Sequence, residues 1–437
     1  MKKYFLQFFR ENIKTPDRRY AWILVIIYLC LLPVFLYPKI HGNDGIGYFV
    51  YLRSIVMDGD LDFTNEFAHY STEYIIVGYN PQTGHPVTGI PPGCAVLWAP
   101  FYLVAHGITL SGVTVYPADG YGYPYALAVA LGTSFYGLLG LLIVYWTGLR
   151  WYSSRNVFWA VIAGWLASPL MFYMYIHSSM SHANSFFMAA LVLWSTLRLL
   201  VDKSDRWSDY LILGLSSGMM GVIRNQDMIF WSIPLVVMLI LRNRKMLLIP
   251  VCMGMVFCIQ LGAWWALNGS PFSGPVTHYV GHNFTPWAPN ALNVLFSGRH
   301  GLFTWNPVFL FGLLGWFLLR RKSGLMVFLA VMMFLLQLWV VGSWREWWGA
   351  YSFGHRMFIS LLPFFMVGLA ALWDKSGQLV KLSSIIPVFI LILILWNFGL
   401  MAQYIFSLLN RDGLTPFSKV IYQQFTVLPQ YLFQLIQ

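Results

Sequence analysis

Asp44, Arg53, Asp58, Asp60, Asp62 and Glu66 stand together in HGNDGIGYFVYLRSIVMDGDLDFTNEF, directly after the first long apolar run of the chain. A carboxylate in that setting is suited to take a proton from a hydroxyl, and a guanidinium to neutralise an oxyanion. Charged and polar clusters recur downstream: His177, His182 and Asn184 in IHSSMSHANSFF, Arg224 and Asp227 in GVIRNQDMIF, Arg299 and His300 in NVLFSGRHGLFTWNPVFL. The last, SWREWWGAYSFGHRMFISLLP, holds Arg345, Glu346, Trp347, Trp348, His355 and Arg356. Arg299 and His300, flanked by glycines, suit a phosphate group. Arg345, His355 and Arg356 beside the indoles suit a sugar and the anion that carries it. Each cluster also has a plainer reading. Asp44 reads equally as the N-cap of a helix. Arg224 and Asp227 read as partners in a tight turn, the tryptophans as an interfacial belt, and the histidines as structural. DGDLDFTNE reads as a polar turn, with bound Ca²⁺ the weaker alternative because the spacing is not a full loop motif.

The elements that must position these residues are membrane helices. Hydrophobic residues make up 58% of the chain and charged residues 10%, with a mean hydropathy of +0.63, whereas a soluble domain carries about 25% charge. Apolar runs near the roughly 20 residues that span a bilayer occur at 20–38, 123–147, 157–176, 184–201, 210–223, 228–241, 246–267, 302–319, 324–342, 357–373 and 384–406. The run at 20–38 is too long for a signal peptide and lacks a small-residue cleavage site, so it reads as a retained anchor. With the N-terminus inside and the runs alternating, 19 of the 27 basic residues fall inside, as the positive-inside rule requires. The apolar segment 91–107 must then be interfacial or re-entrant, which leaves 39–122 as one long outer loop and 407–437 as an outer tail. The pattern after Asp44, with Ile46, Phe49 or Val50, Arg53 and Val56, predicts an amphipathic helix lying in the interface. The net charge of +11 belongs to loops that orient helices, so no nucleic-acid partner is implied. Cys30, Cys94, Cys252 and Cys258 lie in or beside apolar runs without metal or disulfide spacing. No nucleotide-phosphate loop, HExxH or GxSxG occurs.

The order of features in the first loop resembles the GT-C superfamily of membrane glycosyltransferases, in the branch of protein O-mannosyltransferases and lipid A aminoarabinose transferases. The residues carrying the resemblance are Asp44, then Arg53, then MDGD, then GIPPGCAVLWAPFYLVAHG. It covers roughly residues 15–265 in topology. The resemblance implies an all-α polytopic membrane protein, a single domain over 1–437 with about eleven spans, set in the cell membrane with its active site on the outer face. It implies an inverting transfer of a sugar from a polyprenyl-phosphate donor to a glycan, lipid or protein acceptor, with Asp44 as general base. On that reading Arg53, Arg224, Arg299, His300 and Arg356 hold the donor phosphate, while His182, Arg345, Trp347, Trp348 and His355 meet the sugar or the acceptor. No cofactor is called for, and a divalent metal is left open. The chain departs from the family in three places: Gly45 follows Asp44 where a second acid is usual, Ile90 replaces the basic residue before Pro-Pro, and His182 and Asn184 stand where relatives place another acid. Two other readings stay open: a transporter or flippase of a lipid-linked anion, and a ligase for a lipid-linked polymer.

The topology is checked by single cysteines in a cysteine-free background. Asp119→Cys and Ala350→Cys should react with an impermeant reagent from outside, and Ser153→Cys, Ser204→Cys and Lys322→Cys should not. Outside labelling at 153 would make 91–107 a true span and invert the assignment.

Overall fold

Helix breaks, more than helix lengths, set the architecture. The computed structural model describes residues 17–72, 76–272, 284–377, 385–411 and 413–436. Of the basic residues counted inside, Lys2, Lys3, Arg10, Lys14 and Lys381 lie outside the described residues. Helix α1 (Arg18–Phe35) leads to α2 (Asn43–Arg53), a short α3 (Thr64–His69), an antiparallel hairpin of β1 (Ile76–Tyr79) and β2 (Pro86–Thr88), and α4 (Gly93–Leu110). There follow α5 (Tyr123–Gly148), α6 (Ser154–Leu166), α7 (His182–Leu200), α8 (Trp207–Ile223), α9 (Ser232–Leu241) and α10 (Leu248–Asn268). Two short helices, α11 (Ala291–Phe296) and α12 (Leu302–Trp305), precede α13 (Val308–Leu319), α14 (Gly324–Ser343), α15 (Leu362–Gly377) and α16 (Ile385–Ile405). The tail carries α17 (Phe417–Tyr422) and α18 (Leu428–Ile436).

The class is as expected: a helical, polytopic membrane protein. Among the described residues eight helices are long and apolar enough to cross a membrane, with shorter apolar helices at Asn225–Leu241 and Val308–Leu319. Trp22, Leu239, Phe317 and Leu395 all point outward, as helices facing lipid require. Of the eleven expected runs, those at 157–176, 210–223, 228–241 and 302–319 fall short as helices, and two of them break for a visible reason. The first stops at Leu166, because Ser168 Oγ donates back to the Gly164 carbonyl at 2.6 Å and Pro169 brings no N–H. It resumes only as a wide turn at Phe172–Ile176. The run at 302–319 breaks at Asn306 and Pro307. A buried amide joins both breaks: Asn397 Nδ2 donates to the carbonyls of Leu166 (2.9 Å) and Ser168 (3.1 Å), while its Oδ1 accepts from Asn306 Nδ2 at 2.9 Å. Freed backbone groups inside a membrane bundle need such partners.

The segment expected to be interfacial forms α4, an 18-residue helix that meets the length and apolarity of a span. Its contacts place it along one half of α5 only, antiparallel to it. Tyr136 donates to the Leu97 carbonyl (3.1 Å), the Trp98 indole to Thr133 (2.7 Å), and His106 pairs with Tyr125 (2.8 Å). The remaining half of α5 meets Phe186 and Val157 instead. Gly93, at the start of α4, abuts the Val222 and Ile223 backbone, where an added Cβ would lie 2.5 Å away. The helix thus begins beside the end of α8 and runs toward the Tyr123 end.

The tightest helix contact joins α13 to α15. A Cβ at Gly315 would sit 1.8 Å from the Gly368 carbonyl oxygen, and one at Gly368 would sit 2.2 Å from that of Gly312. Small residues at such crossings let backbones touch, which replaces the hydrophobic force that lipid removes. Gly315→Val should cost at least about 1–3 kcal/mol through forced separation and lower the thermal midpoint of the purified protein. Gly324→Ala, where a Cβ meets nothing within 4 Å, should leave it unchanged.

Candidate functional site

The α2 helix carries Asp44 into contact with a residue 312 positions away. Asp44 was expected as the N-cap, but the cap is Gly42, at φ 73°, and makes no side-chain cap bond. Asp44 stands inside the first turn, and its Oδ2 accepts from Arg356 Nη1 at 2.9 Å. The positive φ at position 42 favours glycine, and the fit is close as well, since a Cβ there would lie 3.1 Å from His177 Nε2. Gly45 lets the helix press onto Ser179, whose Oγ would be 2.5 Å from an added Cβ. The His41 carbonyl accepts from His177 Nε2 (3.0 Å) and Ser179 Oγ (3.3 Å), and the rings of His41 and His177 stack at 4.0 Å. Burial, with His41 beside it, pushes the His177 ring down to about 4, so it is neutral near pH 7. Tyr48 lies one turn beyond Asp44 on the same face. Its hydroxyl accepts from Ser181 Oγ at 2.9 Å.

Arg224 ends α8 and gathers the second group. Its Nη1 bonds His182 Nδ1, and its Nη2 donates to Gln226 Oε1 (3.1 Å) and to the sulfur of Met357 (2.9 Å). Its Nε lies 3.7 Å from Asp227. The turn pairing expected from the sequence is therefore present, but the guanidinium also ties the 182 and 357 regions together. Asp227 is fully buried and accepts from the hydroxyls of Ser185 and Ser360, the latter at 3.2 Å. The His182 ring lies 4.5 Å from Tyr173. Tyr173 in turn donates to the Phe353 carbonyl at 3.2 Å and accepts from the Phe353 N–H at 3.0 Å.

Arg299 and His300 lie against the loop that leads to Arg356. The Arg299 guanidinium sits 3.4 Å over the Trp348 ring, and His300 Nδ1 donates to the Trp348 carbonyl at 3.0 Å. His300 adopts φ 58° and meets Trp305 edge-on at 4.5 Å. His355 is fully buried and packs edge-on against Phe358. Burial, with His300 and Arg356 near, pushes its ring down to about 3. Trp347 meets Trp348 edge-on at 5.7 Å, and Arg345 is exposed. Thus Asp44, His182, Arg224, His355 and Arg356 converge, and Arg299 with His300 and Trp348 adjoins them.

Arg53 stands apart. Expected beside a phosphate, it closes the opposite end of α2, about 14 Å along the axis at 1.5 Å per residue. Its Nη1 bonds Asp58 and, at 3.0 Å, Glu66, while its Nε and Nη2 each reach the Asp119 carbonyl at 3.3 Å. Its guanidinium also stacks 4.4 Å over Tyr121. Burial pushes Glu66 up to about 7 against the opposing pull of Arg53. Asp60 accepts from Ser54 Oγ (2.7 Å) and Asp62 from Thr64 Oγ1 (2.6 Å). The acids of the first loop thus brace that loop, and among the described residues no three His, Cys, Asp or Glu side chains converge as a metal site. Sequence reasoning missed Tyr48, although its spacing of one turn from Asp44 was visible. It also missed Gly349, which adopts φ 84° beside Arg356.

No family model and no curated protein matches the sequence. Solved structures match the fold. ArnT from Cupriavidus metallidurans in the apo state superposes with a TM-score of 0.55 at 14% identity, over 95% of this chain and 69% of that one. The same protein bound to undecaprenyl phosphate gives 0.52 at 14% identity, over 96% and 71%. The apo oligosaccharyltransferase of Archaeoglobus fulgidus gives 0.50 at 12% identity, over 97% and 60%. A first-loop helix bearing an acid, broken helices and a long apolar bundle agree with that likeness: this chain shares the overall fold of ArnT and of that oligosaccharyltransferase.

Proposed function

We propose that the protein is an inverting glycosyltransferase that moves a sugar from a polyprenyl-phosphate donor to a hydroxyl-bearing acceptor at the outer face of the membrane. The observation that carries the reading is the meeting of Asp44 with Arg356, a carboxylate at the start of a first-loop helix and a guanidinium at the start of a candidate span. A base and an anion-binding cation side by side are what displacement of a lipid phosphate by a hydroxyl demands. The acceptor oxygen attacks the anomeric carbon from the face opposite the phosphate, and Asp44 takes its proton. The bond from that carbon to the phosphate oxygen breaks, and its electron pair leaves with the lipid phosphate. Arg356 meets the departing charge, with Arg224 and Arg299 adding positive potential from either side. Arg53 has no part in this reading because its donors already hold the first loop together. The undecaprenyl phosphate bound by ArnT supports a lipid-linked donor here.

The test is turnover by the purified protein with a polyprenyl-phosphate sugar. Asp44→Asn should lower the rate by about two to four orders of magnitude, the usual contribution of a general base, with the thermal midpoint nearly unchanged. Normal turnover by that variant would remove Asp44 from the chemistry. Arg356→Ala should weaken donor use about ten- to a hundredfold, equivalent to roughly 1.5–3 kcal/mol for a charge-assisted contact. Arg356→Lys should recover only part of this, because lysine lacks the planar fork. Arg53→Lys, by contrast, should change the thermal midpoint more than the donor titration.

A further inference from the structure

We propose that Arg356 is a shared cation, held by Asp44 in this structure and surrendered to the phosphate of the incoming lipid-linked donor, so that arrival of the donor uncovers the Asp44 carboxylate. This rests on the function read above, in which Arg356 meets that phosphate. It adds an order of events: the base is released only where a sugar is ready to be attacked.

Four features of the pair point this way. First, the contact is single-pronged, Oδ2 to Nη1 at 2.9 Å, whereas a guanidinium binds an oxyanion best through two parallel N–H groups. Second, Arg356 Nε is buried and has no hydrogen-bond partner among the described residues. A buried donor left in that condition is costly, and a second oxygen from an anion would satisfy it. Third, the backbone beside Nε carries no side chain. Gly349 faces Nε with φ 84°, and a Cβ there would lie 3.7 Å from Nε and 2.9 Å from Ser352 Oγ. The Ser352 hydroxyl, itself buried and without a hydrogen-bond partner among the described residues, stands beside the same glycine. Fourth, the partners differ in their alternatives. The Asp44 side chain is 38% exposed and the Arg356 side chain 12%. The carboxylate can turn to water, while the guanidinium needs an anion beside it.

A phosphate ester that takes both Nε and an Nη makes two charge-assisted bonds where Asp44 makes one. The exchange is therefore favoured even when the ester carries the same single charge as the carboxylate. Gly349 keeps a side chain away from Nε, and the unpartnered Nε and Ser352 hydroxyl are the groups that a second oxygen would meet. The neighbouring Arg224 is already engaged by His182, Gln226 and Met357, which leaves Arg356 as the cation with an unused donor at the carboxylate.

The experiment is a binding cycle on the full-length protein in nanodiscs, with wild type, Asp44→Asn, Arg356→Gln and the double variant. The probes are undecaprenyl phosphate and, separately, inorganic phosphate. Asp44→Asn should tighten undecaprenyl phosphate binding by about tenfold, within the range of coupling between contacting groups. Arg356→Gln should weaken it, and Asp44→Asn should then bring no gain. An equal gain in both backgrounds is simple charge repulsion and overturns the exchange. A loss on Asp44→Asn means that the carboxylate only positions Arg356, and also overturns it. Should Arg356→Gln leave wild-type affinity intact, Arg356 is not the phosphate ligand, and the functional reading of that residue falls with the exchange. Coupling seen with the lipid phosphate alone ties the exchange to the lipid headgroup, and equal coupling with inorganic phosphate supports exchange with phosphate from either source.

Discussion

The ion pair between Asp44 and Arg356 is the constraint on which the site depends. Arg356 is largely buried, and a buried charge is expensive unless another group compensates it, so the pair fixes where its two elements can lie. Asp44 is the second residue of a helix in the first loop, and Arg356 begins the turn into a late span. Bringing them together requires Gly42 and Gly45 to press α2 against the loop of His177 and Ser179. It also requires Tyr173 to hold the Phe353 backbone from both sides. The aromatic groups around Phe353 serve the same end: Phe172, Trp305 and Tyr404 surround its ring at 4.9–6.1 Å. Tyr404 also donates to the Tyr351 carbonyl at 2.7 Å, so the last long helix braces the loop that carries Arg356.

The bundle was legible in the sequence because hydrocarbon leaves a simple record, a run of apolar residues of nearly fixed length. The runs at 123–147, 184–201 and 324–342 correspond closely to α5, α7 and α14. The breaks were not legible, since a break inside an apolar run is stable only if something distant satisfies it. The run at 157–176 stops at Ser168 and Pro169, but the break holds at Leu166 because Asn397, far along the chain, binds the carbonyls left free there. Nothing local to residue 166 encodes that partner. The acid of the site was legible by its type and its position after the first span, but its place relative to the helix start was not. Asp44 reads as the cap in HGNDG, and it is Gly42 that fills the position.

Arg53 shows the limit from the other side. By type it was as good a phosphate ligand as Arg356, for each is an arginine at one end of a helical segment. What separates them is the number of donors left over. Asp58, Glu66 and the Asp119 carbonyl occupy Arg53, and Tyr121 covers its face. Arg356 keeps a buried Nε without a partner. Acids following Arg53 at short range made its engagement foreseeable in principle: the wide helical turn Ser54–Asp58 sets Asp58 beside it, and the chain beyond Gly59 returns Glu66. For Arg356 the sequence held no acid at short range, and only the fold could supply one.

The convergence of the other clusters follows from the same broken helices. A continuous helix presents its side chains to neighbours along its flank, and only its ends leave backbone groups without a partner in the helix. Where α6, α8 and α12 stop inside the bundle, the chain is free to turn, and left-handed backbone appears nearby at His300, Gly349, Ala350 and Gly354. Such positions cost energy in residues other than glycine and persist where surrounding contacts over-determine them. His300 meets that condition through its bond to the Trp348 carbonyl and its packing on Trp305. The polar residues of the site therefore sit where the helical ladder has been interrupted and where Asn306 and Asn397 have taken up its loose ends. The amide pair deep in the bundle and the ion pair at its mouth are consequently parts of one arrangement: the first permits the helices to end at that depth, and the second gives their ends something to hold.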